Sequence, residues 1–74
     1  MTYLGANLRY LRKNKGLTQA ELAQKMNVNR SLIGAYEEGR SEPKIASLLF
    51  LCELFKVNLD ELIQKPLSGQ KNRS

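Results

Sequence analysis

The stretch QKMNVNRSLIGAYEEG, residues 24–39, decides how this chain folds. One helical pattern stops at Asn27 and a second begins at Asn29, so the reversal has almost no length. So tight a turn needs backbone with positive φ, which Asn tolerates better than any residue but Gly. On a wheel of about 100° per residue, Leu32, Ile33 and Tyr36 face inward, while Arg30, Ser31, Gly34, Ala35 and Glu38 share the other face. That outward face starts with hydrogen-bonding side chains and continues with two that are nearly absent. Small residues there let the helix backbone approach a surface closely. The front of the helix presents free N–H groups and the positive end of its dipole, which suits phosphate. The segment reads as a helix built to lie against something else.

Outward from this stretch, the joins share a signature. Thr18 can cap a helix with Glu21 reaching back and Leu17 stapled onto Leu22; Asn29 can cap the next, with Val28 stapled onto Ile33; Asn58 can cap the last, with Glu61 and Val57 in the corresponding places. Each cap is worth about 1 kcal/mol. Leu4, Leu8 and Leu11 mark a first helix ending near Lys15–Gly16. The pattern predicts helices over 4–15, 18–26, 29–38, 44–55 and 58–63 and no strands, an all-α, compact five-helix domain. Pro43 stands either in the first turn of the fourth helix or just before it. In that helix Ile45, Leu48, Leu49, Cys52 and Phe55 are expected to face the core. Phe50 and Leu54 form an opposing i, i+4 pair, which on so small a domain suggests a partner. Beyond Ile63 the sequence QKPLSGQKNRS has no periodicity. The division expected is a domain over 1–64 and a flexible basic tail, or the start of a linker, over 65–74.

Composition narrows the function classes. Twelve basic residues against seven acidic give +5, with an acid-free run at Arg9, Arg12, Lys13 and Lys15, a balance that favours polyanions through counterion release. There is no histidine and a single cysteine, Cys52, so no zinc ligand set and no His-based catalysis is expected, and the chain is not read as an enzyme. No cofactor, metal or small-molecule ligand is implied, and no membrane span. A cytoplasmic setting fits the cysteine content. Cys52 is expected to be a buried, inert thiol.

The ordered set GLTQAELAQKMNVNRSLIGAYEEG, SEPK and LCELFKVNLDELI, within residues 4 to 63, resembles the phage-repressor and Cro-like family of helix-turn-helix regulators, the XRE family. The resemblance implies a lambda-repressor-like fold whose second and third helices bind double-stranded DNA, with a dimer on a two-fold operator. It sets Phe50 and Leu54 in or beside the homodimer contact. By position it places Arg30, Ser31 and Ala35 on bases in the major groove and Asn29 on backbone or a base edge. It places Gln19 on a phosphate, with Arg40 and Lys44 as cations of the loop along the backbone. Arg12 is expected to pair with Glu37 and to face phosphate. Asn27 stands where the family most often has Gly. Gly34 stands where relatives often have a polar residue, either as clearance for DNA or for packing against the first helix. Arg30 is the leading specificity candidate, because Arg reads guanine O6 and N7 together. The implied function is sequence-specific transcriptional regulation, as a repressor. The alternatives are a protein-interaction module, such as an antitoxin or adaptor, and a DNA-binding fragment of a longer repressor.

Overall fold

The computed structural model describes residues 2–67. Five helices follow one another: α1 (Leu4–Asn14), α2 (Gln19–Met26), α3 (Arg30–Glu38), α4 (Ile45–Phe55) and α5 (Leu59–Gln64). No strand occurs among the described residues, as the absence of period-two patterning implies. Each sequence-derived helix is present, with ends shifted by one residue as caps are excluded from the helix proper.

The caps explain the boundaries. Thr18 Oγ1 accepts from Glu21 N at 3.0 Å while Glu21 Oε1 accepts from Thr18 N at 2.8 Å. Asn58 and Glu61 repeat this box at α5. Asn29 Oδ1 accepts from Leu32 N at 3.0 Å, without a reciprocal acid. Asn27 closes α2 at φ 61°, ψ 44°, the left-handed conformation that so short a reversal requires. Pro43 is buried ahead of α4, and Lys44 is the N-cap there without a side-chain bond.

The core is formed by Leu4, Leu8, Leu22, Ala23, Ile33, Tyr36, Leu51, Phe55 and Leu62. Helix α3 lies at its centre against α1 and α2, and α5 bridges α1 and α4. Contact between α1 and α3 is close enough to require a glycine in α1. A Cβ on Gly5 would stand 2.6 Å from the Glu37 carbonyl oxygen and 2.9 Å from that of Tyr36. Asn7, buried in α1, ties down the other end of the chain. Its Nδ2 donates to the carbonyls of Leu62 and Lys65, each at 2.7 Å, and its Oδ1 accepts from Leu67 N at 2.9 Å. The segment 65–67, expected to begin a flexible tail, is thus held against α1. The remainder of that tail, 68–74, lies outside the described residues.

Helix α4 corrects the sequence reading. Its core stripe is Leu51 and Phe55, with Leu48, Cys52 and Leu54 half-buried beside them. Ile45 and Leu49, expected inside, are 62% and 54% exposed, and of the pair Phe50/Leu54 only Phe50 is exposed, at 41%. A helix apolar on most of its circumference has no polar stripe to mark its outer side. Leu54 packs on the core, so it is not a free surface residue.

Candidate nucleic-acid interface

The α2–α3 pair rests on a buried ion pair at its back. Arg12, on α1, donates from Nε to Glu37 Oε2 at 2.6 Å and from Nη2 to Oε1 at 3.2 Å. Its Nη1 donates to the Leu17 carbonyl at 2.8 Å. The two side chains are 9% and 3% exposed, so the fork of Arg12 is spent inside the fold, joining α1, the turn before α2 and α3. This is the Arg12–Glu37 pair that the resemblance implied. The pair also limits the other role given to Arg12, since most of its guanidinium faces protein rather than solvent.

From Glu37 the hydrogen bonds continue outward. Gln19 Nε2 donates to Glu37 Oε1 at 3.0 Å, and Arg30 Nη1 donates to Gln19 Oε1 at 2.7 Å. Arg30 and Ser31 are exposed at the first two positions of α3, and the first turn of that helix holds no acid. Asn29 is exposed too, with its side-chain oxygen engaged in the cap. A Cβ on Gly34 would meet only the Gln19 amide, at 3.9 Å, so the glycine that the α1–α3 contact requires is Gly5, and Gly34 leaves open space on the outer side.

Ala35 departs from the expectation. It is 7% exposed, not outward-facing. The chain after the helix folds back over it: Arg40 N and Ser41 N both donate to the Ala35 carbonyl, at 2.9 and 3.4 Å. A methyl so covered is not displayed to a groove. Arg40 and Lys44 are exposed, and Arg40 Nε pairs with Glu38 Oε1 at 2.8 Å. Both partners are 63% exposed, so the contact is weak and the cation can exchange it for another anion.

Two elements here had no signal in the sequence. Gly5 and the Gln19–Glu37 link depend on residues that come together only in space. Cys52 is half-buried against the core rather than fully enclosed, and desolvation raises its thiol pKa.

These features, a tight α2–α3 reversal locked from behind and an acid-free, exposed helix front, define a helix-turn-helix domain. The family described as Helix-turn-helix matches residues 8–62, and the chain belongs to it, within the phage-repressor-like group of transcriptional regulators. The transcriptional activator BcrR of Enterococcus faecalis is 39% identical over 64 residues, covering 86% of this chain and 29% of that protein. The transcriptional regulator ImmR of Bacillus subtilis (strain 168) is 34% identical over 71 residues, covering 96% of this chain and 56% of that protein. The chain therefore spans only part of these curated relatives. Among solved structures, the P22 c2 repressor in complex with synthetic operator 9T superposes with a TM-score of 0.77 at 27% identity, covering 84% of this chain and 94% of that one. No helix among the described residues is long and apolar enough to cross a membrane.

Proposed function

We propose that residues 1–64 bind double-stranded DNA sequence-specifically and regulate transcription from the cytoplasm, as a repressor that occupies a two-fold operator as a dimer. The observation that carries this is the exposed front of α3, where Arg30 and Ser31 stand at an N-terminus free of acids. In this reading Arg30 and Ser31 meet base edges, and Asn29 meets backbone or a base edge. Gln19, Arg40 and Lys44 meet phosphates. Arg12 acts mainly from behind, as the partner of Glu37. The basic balance of the chain supports the same partner.

Dimerisation is assigned to the outer side of α4. Ala46, Leu49, Phe50 and Glu53 are all exposed there at i, i+3, i+4 and i+7 spacing, a stripe suited to a second helix. Phe50→Glu should leave the helical circular-dichroism spectrum intact and abolish dimers in sedimentation. A dimer that survives the substitution would remove this assignment.

The function itself is tested by affinity selection from random duplex DNA, with wild type and Arg30→Ala side by side. The expected product is an inverted repeat with half-sites about one helical turn apart and a guanine preference that the substitution relaxes. Enrichment of nothing beyond salt-sensitive, sequence-independent binding would sink the reading.

A further inference from the structure

We propose that Glu37, buried near the C-terminal end of α3, sets base preference at a distance by orienting Arg30 through Gln19. This rests on the DNA-binding reading above and assigns to that surface a positioning residue that itself touches no base. The argument is one of donor and acceptor order. An ionised carboxylate only accepts, and Glu37 already accepts twice from Arg12. Gln19 must therefore turn its NH₂ group inward to Glu37 Oε1, at 3.0 Å. Its carbonyl oxygen is then left facing the front of α3, where it accepts from Arg30 Nη1 at 2.7 Å. With the amide reversed, an NH₂ group would face a guanidinium and the bond to Arg30 would be lost.

Burial fixes the direction of influence. The Glu37 side chain is 3% exposed and clamped by Arg12, whereas Arg30 is exposed at the helix front. The buried end is rigid, the outer end is free, and Gln19 joins them through its hydrogen bonds to Glu37 and Arg30. An arginine held in one arrangement before DNA arrives loses less side-chain freedom on forming its bidentate contact. The gain is confined to the base that Arg30 reads. A Gln19 that merely gripped phosphate would instead strengthen all sequences alike.

The test is the duplex selection with wild type, Arg30→Ala, Gln19→Met and Glu37→Asp, and with each of the last two combined with Arg30→Ala. Gln19→Met removes the relay and leaves the Arg12–Glu37 pair untouched. Glu37→Asp keeps a carboxylate for Arg12 and withdraws it by one methylene from Gln19. Both should relax the base preference at the Arg30 position by about three- to tenfold, leave preferences elsewhere unchanged, and add nothing when combined with Arg30→Ala. A uniform loss of affinity with the preference intact overturns the relay, as does relaxation by Gln19→Met alone. If Glu37→Asp does not fold, side-chain amide exchange in the wild type decides: slowed exchange of a Gln19 amide proton supports the anchor, and the rate of an exposed glutamine overturns it. A wild type that enriches no sequence overturns the DNA reading itself, and the relay falls with it; an enriched site indifferent to Arg30→Ala overturns the relay alone.

Discussion

The starts of α2 and α3 lie eleven residues apart and are built for different purposes. At α2, Thr18 and Glu21 form a complete box, and the acid sits in the first turn against the positive end of the helix. At α3, Asn29 supplies the cap alone, the first turn has no acid, and Arg30 occupies the first helical position. Charge at the second site is therefore locally unfavourable, while the first is close to its best for stability. The α5 start, with Asn58 and Glu61, follows α2 and not α3. A helix that served only the fold would gain from the same acid, although α1 and α4 also begin without one. What sets α3 apart is the exposed Arg30 at its first position, which fits the DNA partner proposed above. Support comes from behind, where Arg12 joins α1 to the Leu17 carbonyl before α2 and to Glu37 near the C-terminal end of α3.

That shared support is where the comparison breaks most completely. Arg12→Ala leaves the Glu37 carboxylate buried without its cation, which should cost about 3–5 kcal/mol. A domain of this size has a total stability of about 4–11 kcal/mol, so the loss is a large part of it. Urea unfolding should show a midpoint moved far down, or no folded baseline. A midpoint within experimental error of wild type would mean that the pair is not what holds α2 and α3 to α1. The caps are the next rank. Thr18→Ala should cost about 1 kcal/mol in the same assay, with DNA base preference unchanged because the fold alone depends on it. An altered preference would show that the α2 start also takes part in reading.

How much of this could be read in the sequence follows from the range of each interaction. Caps act within three residues, so Thr18, Asn29 and Asn58 announced α2, α3 and α5 within one position of their ends. The exposed front of α3 was legible for the same reason, as Leu32, Ile33 and Tyr36 leave only one side for Arg30 and Ser31. Long-range requirements left no trace. Asn7 looks like an ordinary polar helix residue until its partners 55, 58 and 60 positions away are known. Gly5 looks like a weak spot in α1 until the α3 carbonyls are placed against it. Ala35 was misjudged because a wheel describes a helix and not the loop that folds over its flank. The sides of α4 were misjudged because Ile45, Leu48, Leu49, Phe50, Leu51 and Cys52 leave hydrophobicity nearly uniform around the axis.

The smallest expected effect is the most direct test of the contrast between the two starts. Ser31→Glu gives α3 the acid that α2 and α5 already have. Ser31 is exposed at the second helical position, so the new carboxylate lies within the first turn without displacing any core side chain. Interaction with the helix dipole should raise stability by about 0.3–1 kcal/mol at low ionic strength, a gain that salt screens. The same charge would stand on the surface assigned to DNA, where it opposes phosphate and occupies the place of a neutral hydroxyl. Stability and DNA affinity should therefore move in opposite directions: a higher melting temperature, and weaker binding to random and selected duplexes alike. A start optimised only for folding has no such trade, and mutating it would change one property without the other. If Ser31→Glu stabilises the domain and leaves duplex binding intact in low salt, the missing acid at α3 is not reserved for phosphate, and the contrast loses its functional meaning.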